Sequence, residues 1–169
     1  TQWMLNRACA DLARLQRDVP HGEGIRVSVN VSSRYLNHGN IVEDVRNSLG
    51  THRLAPNCLI LEVTESLLLE NSVQLERTFQ ELKKLGVRLA LDDFGTGYSS
   101  LSYLRAFPFD KIKIDQRFVR DIDTSTENQA IVRAIISLAR DLKMRVTAEG
   151  VEHEQQAAIL AGLGCTEAH

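Results

Sequence analysis

The feature that most constrains the fold is a rhythm: short apolar runs alternate with longer amphipathic segments at a repeat of about thirty residues. The runs at 25–31, 58–63, 87–92, 111–114 and 145–148 read as strands, and a sixth strand begins at 165. Between them, helical spacing of apolar residues covers Thr1 to about Val19, Ile41 to Leu49, Ser72 to Leu85, Glu127 to Leu142 and His153 to Leu163. In the first helix Met4, Leu5, Ala8, Cys9, Leu12 and Leu15 form the expected apolar face. Leu101 to Leu104 reads as one further short turn of helix. Val87, Leu89, Ala90 and Leu91 form a nearly unbroken apolar run, which suits a strand buried on both faces of a parallel sheet. Strand, crossover helix and parallel strand make right-handed βαβ units. The expected fold is therefore α/β, a TIM-like (β/α) barrel, with an open doubly wound sheet as the alternative. A barrel has eight strands and starts on one. This chain starts on a helix and offers fewer strands, so it reads as a single domain over residues 1–169 missing its first and last elements.

Composition excludes several classes. With 43% hydrophobic and 25% charged residues, the chain is that of a soluble globular domain. Its formal charge of −2 offers no basic stripe for a nucleic acid polymer, while a small phosphate ligand held through cations remains open. Cys9, Cys58 and Cys165 are widely spaced without a C-x-x-C pair, which fits reduced thiols in the cytoplasm rather than a zinc site or a disulfide framework. No apolar run reaches membrane-spanning length, and the parent protein's own attachment to a membrane is a separate matter.

The chemistry concentrates at the strand ends. Asn30, Glu62, the pair Asp92 and Asp93, Lys113 and Glu149 each fall at or beside the carboxyl end of a successive expected strand. In a parallel barrel those ends share one face, where active sites form. Asp92 and Asp93 repel one another unless a cation or donors lie between them. Gly95 and Gly97 let the chain turn away from that tip. The donor set is oxygen only, which suits Mg²⁺ or Mn²⁺, and carboxylates this numerous suit two ions. Asp93-Phe94-Gly95 matches the kinase triplet, but no H-R-D loop or glycine-rich lid accompanies it.

These residues also spell out a family. The series Val29-Asn30-Val31-Ser32, Leu61-Glu62-Val63-Thr64-Glu65-Ser66, Asp92-Asp93-Phe94-Gly95-Thr96-Gly97-Tyr98-Ser99-Ser100-Leu101, Lys111-Ile112-Lys113-Ile114-Asp115 and Ala148-Glu149-Gly150-Val151-Glu152 resembles the EAL-domain cyclic di-GMP phosphodiesterases of bacterial second-messenger signalling. The resemblance implies metal ligands at Asn30, Glu62, Asp92, Asp93 and Glu149, with Lys113 contacting the attacking water or the phosphate. It implies that the loop from Asp93 to Ser100, with Gly95 and Gly97 as its pivots, joins the metal site to a dimer interface and that Glu65 anchors it. Two Mg²⁺ or Mn²⁺ ions would activate a water, Glu149 or Glu152 would handle the proton, and linear pGpG would leave. The implied partners are cyclic di-GMP, a second copy in a homodimer, and sensor or GGDEF-type domains of the parent protein.

The resemblance also implies that the namesake Glu-Ala-Leu strand, whose glutamate is a further ligand, would precede Thr1. The chain alone is therefore expected to be a feeble catalyst. His169 stands where the family places a glutamine. The rival readings are a receptor that binds cyclic di-GMP without cutting it and a dimerisation module of a signalling protein. The first would show eroded ligand positions, whereas those within the chain are filled; the second leaves the carboxylates unexplained.

Overall fold

The computed structural model describes residues 2–70, 73–95, 104 and 106–169. Strands β1 (Val27–Asn30), β2 (Leu59–Thr64), β3 (Arg88–Phe94), β4 (Lys111–Ile114), β5 (Arg145–Ala148) and β6 (Glu167–Ala168) follow one another in that order along the chain. β4 and β5 coincide with the runs legible in the sequence. The chain divides into two compact units, one formed by Thr1–Val63, Leu69–Leu89 and Ala106–Pro108, the other by Thr64–Leu68, Ala90–Arg105 and Phe109–His169.

In the first unit, β1 and β2 pair in parallel with Asn30 opposite Glu62, and the ladder extends to a Val31 N–H donating to the Glu62 carbonyl at 2.8 Å. Helices α1 (Gln2–Asp18), α3 (Ile41–His52) and α4 (Val73–Leu85) bury Leu5, Cys9 and Leu12, then Ile41, Val45 and Leu49, then Leu75, Phe79 and Leu82. Phe79 meets Phe107 edge to face, with ring centroids 5.3 Å apart. Met4 and Leu15, expected on the buried face of α1, are 45% and 48% exposed. At about 100° per residue they lie on the flank of the stripe centred on Leu5, Cys9 and Leu12, so neither reaches the core. A short helix α2 (Ser33–His38) follows β1 where the sequence pattern showed only the strand's end.

In the second unit, β3 to β6 pair in parallel, and Leu91, Ile112, Ile114, Val146 and Ala148 are buried along them. Among the described residues the connections include α5 (Gln116–Val119) and α6 (Thr126–Asp141) between β4 and β5, and α7 (Glu154–Leu163) between β5 and β6. Asp115 caps α5 by accepting the Arg117 N–H at 2.8 Å, and Ser125 caps α6 by accepting the Asn128 N–H at 3.1 Å. α6 turns Val132, Ile135, Ile136 and Ala139 inward. The sequence pattern placed Asp92 and Asp93 at the tip of their strand; instead β3 runs through both of them to Phe94. Gly97 and the rest of the loop to Ser100 lie outside the described residues, as do Leu101–Tyr103 of the expected helical turn.

Candidate metal centre

The site in the second unit begins with an irregularity in β3. Leu91 pairs with Ile112 and Phe94 with Ile114, so two residues, Asp92 and Asp93, stand opposite the single Lys113. This is a β-bulge, with Asp93 at φ 54° in the left-handed region that aspartate tolerates better than most residues. In a regular strand, neighbouring side chains point to opposite faces. The bulge removes that constraint, and carboxylate oxygens of Asp92, Asp93 and Glu149 all lie within 4.8 Å of one another. Glu149 follows β5, whose register pairs Ile114 with Ala148, and its N–H donates to the Ile114 carbonyl at 3.1 Å.

Lys113 ties the cluster together. Its Nζ lies 2.9 Å from Asp92 Oδ1 and 2.7 Å from Glu149 Oε1, with only 10% of the side chain exposed. Asp92 Oδ1 also accepts the Asp93 N–H at 3.1 Å. Burial raises the Asp93 carboxyl above its ordinary range, and the negative charges of Asp92 and Asp115 add to the rise against the opposing pull of Lys113 and Arg117. A carboxyl so placed gains from a further cation. Three oxygen donors at this separation, next to a single ammonium, fit a hard divalent ion such as Mg²⁺ or Mn²⁺.

Glu65, 4% exposed, accepts the Gly95 N–H on Oε2 at 2.8 Å. Gly95 has φ 100°, and a Cβ there would lie 2.8 Å from the Phe118 ring, so the chain leaving β3 passes against α5 where only glycine fits. Glu152 is exposed and outside the cluster; with Gln116, Arg117, Arg120 and Gly150 it lines a cavity of about 190 Å³. Asn30 and Glu62 belong to the first unit, paired across β1 and β2, and Glu62 is 7% exposed. On the sequence alone Asp115 carries no role. In the structure it is 5% exposed, caps α5 and adds its charge to the field on Asp93. Its signal was a lone aspartate straight after an apolar strand and before a helix. No histidine joins the acidic cluster among the described residues.

A family model describing the EAL domain matches residues 1–169. The chain belongs to the EAL domain family. Among curated relatives of this EAL domain, the cyclic di-GMP phosphodiesterase NbdA of Pseudomonas aeruginosa is 44% identical over 96% of the chain and 21% of its own length. The bifunctional diguanylate cyclase/cyclic di-GMP phosphodiesterase MucR of the same organism is 41% identical over 97% of the chain and 24% of its length. The curated relatives matched first are about five times longer, the chain spanning 20%, 20% and 21% of them. The solved complex of the MucR phosphodiesterase with c-di-GMP superposes with a TM-score of 0.91 at 40% identity, covering 99% of this chain and 67% of that one. A manganese and cyclic di-GMP complex of Klebsiella pneumoniae BlrP1 superposes with a TM-score of 0.83 at 34% identity, covering 97% and 42%. The fold of this EAL domain is thus the α/β, TIM-like fold of those structures, built on a parallel sheet.

Proposed function

We propose that residues 1–169 are part of the EAL-type catalytic domain of a metal-dependent phosphodiesterase that hydrolyses cyclic di-GMP to linear pGpG. The observation that carries this is the cluster of Asp92, Asp93 and Glu149 within 4.8 Å, closed by Lys113. The similarity to cyclic di-GMP phosphodiesterases, and to structures holding that dinucleotide with manganese, supports it. Asp92, Asp93 and Glu149 would hold Mg²⁺ or Mn²⁺, two ions in all, with Asn30 and Glu62 as further ligands. When bound, such ions offset the phosphodiester charge and lower the pKa of water.

The protein's own groups divide the remaining work. Lys113 keeps a fixed positive charge at the cluster, which stabilises the negative charge growing on the phosphoryl oxygens in the transition state. Glu149 takes the proton in preference to Glu152, because its carboxylate stands within the cluster and that of Glu152 does not. Glu65 holds the chain at Gly95, at the end of β3, and so couples the site to a homodimer contact. GGDEF-type or sensor domains of the parent protein supply regulation, in a cytoplasmic setting.

The test is turnover of cyclic di-GMP by the protein carrying this chain, read as pGpG by chromatography. Activity should require Mg²⁺ or Mn²⁺ and be inhibited by Ca²⁺, whose looser shell positions water poorly. Glu62→Gln and Asp92→Asn should abolish turnover, while Lys113→Ala should lower kcat with the metals still bound. Full activity in excess chelator would refute the mechanism. Tight binding of the dinucleotide with metal but without cleavage would assign the domain to the receptors.

A further inference from the structure

We infer that Gln156 is a positioning residue: it ties the loop carrying Glu149 to the end of α5, and the place of Glu149 beside Lys113 depends on that tie. The inference rests on the metal-site reading of the cluster. Gln156 stands in the first turn of α7 yet is only 2% exposed. Its Oε1 accepts two backbone N–H groups, from Glu152 at 2.8 Å and His153 at 3.0 Å. These bonds are local and belong to the helix start, where a glutamine at the third helical position reaches back to the capping residue. The third bond is different. Gln156 Nε2 donates 2.9 Å to the carbonyl of Arg120, 36 residues earlier in the chain.

Arg120 directly follows α5, and α5 is entered from Lys113 through Ile114 and Asp115. One buried amide therefore links the segment that follows the lysine with the segment that follows the glutamate. The stretch 149–153 has other ties: the Glu149 N–H to Ile114, and a Val151 N–H donating to the His169 carbonyl at 2.9 Å. Between them Gly150 has φ 71°, and a Cβ there would lie 2.7 Å from the Gln116 Cβ. The loop passes so close to the start of α5 that only glycine fits there, and its place depends on how its two ends are held. Gln156 holds the far end. Groups that orient a metal ligand in this way set affinity although they never touch the ion.

The test separates the tie from the helix cap. Gln156→Glu keeps an acceptor for the Glu152 and His153 N–H groups but turns a carboxylate oxygen toward the Arg120 carbonyl, which removes the third bond alone. Gln156→Ala removes all three. Both are made in the protein carrying this chain, with Asp92→Asn as reference. Backbone amide exchange over residues 149–153 is measured without metal, and Mn²⁺ affinity by the electron spin resonance of free Mn²⁺. In Gln156→Glu the Glu149 and Val151 amides should exchange at least about tenfold faster, and the Mn²⁺ Kd should rise about 10- to 100-fold. KM for cyclic di-GMP should stay within about twofold while kcat falls.

Unchanged exchange in Gln156→Glu overturns the tie. Faster exchange with an unchanged Kd, while Asp92→Asn loses Mn²⁺, overturns the positioning role. Mn²⁺ binding that survives in Asp92→Asn overturns the metal reading itself, and the exchange rates still decide the tie. If Gln156→Ala fails to fold, Gln156→Glu decides alone, because its helix cap is intact.

Discussion

Lys113→Met removes the ammonium that pairs with Asp92 and Glu149 in a cluster of three carboxylates and keeps most of the side chain's volume. At the observed 2.7 and 2.9 Å, each ion pair has a gross attraction of about 6 kcal/mol at an effective dielectric constant of about 20. Most of that is offset by desolvation of the charges, and breaking a buried pair costs about 3–5 kcal/mol net. Glu149 is 29% exposed on its side chain, which places the expected loss at the low end, about 3 kcal/mol at pH 7 without metal. For a chain of this size the corresponding fall in Tm is about 6–12 °C. Two controls identify the cause. Burial already raises the Asp93 carboxyl and Lys113 pulls it down, so without the lysine it rises further; that part of the deficit is present at pH above its raised value and vanishes as the pH falls below the ordinary carboxylate range. Mn²⁺ should restore the variant by more than it stabilises the wild type, since it supplies the charge that the variant lacks. Urea and thermal denaturation at pH 4 and 7, with and without Mn²⁺, measure all of this. A loss below about 1 kcal/mol at pH 7, or a deficit undiminished at pH 4, would show that Lys113 does not neutralise the cluster.

Gly95→Ala should cost about 1–3 kcal/mol, because it strains φ 100° and drives a methyl into the Phe118 ring; the double variant with Phe118→Ala should recover part of the loss in thermal denaturation. Glu65→Ala should weaken Mn²⁺ binding by titration although Glu65 is not a proposed ligand, since it frees the Gly95 N–H that β3 depends on for its exit. Glu167 is subject to burial, which alone would raise its carboxyl, yet bonds and charge from Lys111, with Thr147 and Arg145, hold it below the ordinary value. A depressed carboxyl stabilises above its unfolded pKa and loses that contribution as the pH falls through its folded value. Glu167→Gln should therefore cost about 1–2 kcal/mol at neutral pH in urea titrations and nothing in strong acid. Burial, with the neighbouring Cys58, pushes the Cys9 thiol up to about 11, so a thiol reagent at pH 8 should leave Cys9 unlabelled in the native protein and modify it in denaturant.

The strands and long helices were legible because each buries one face or both, and burial writes its period into the sequence. β4 and β5 coincide with their apolar runs for that reason. The short helices α2 and α5 left no such trace: α5 covers four residues, too few for a period, and is set by the Asp115 cap. The residue types of the candidate site were readable as well, since carboxylates that end apolar strands stand out against their neighbours.

What only the tertiary structure decided is how those residues face one another. Asp92 and Asp93 lie on one strand, and their order in the chain predicts opposite faces. The shift of register against β4 creates the bulge that brings both to Glu149, and register belongs to two strands at once. The bonds of Gln156 share that origin, because its partner Arg120 lies 36 residues away and no local pattern of the helix start announces it. The sequence by itself determined which groups are available and on which elements they ride, through propensity and burial acting over a few residues. Their distances, charges and partners follow from pairings between segments remote in the chain, and those exist only once the sheet has formed.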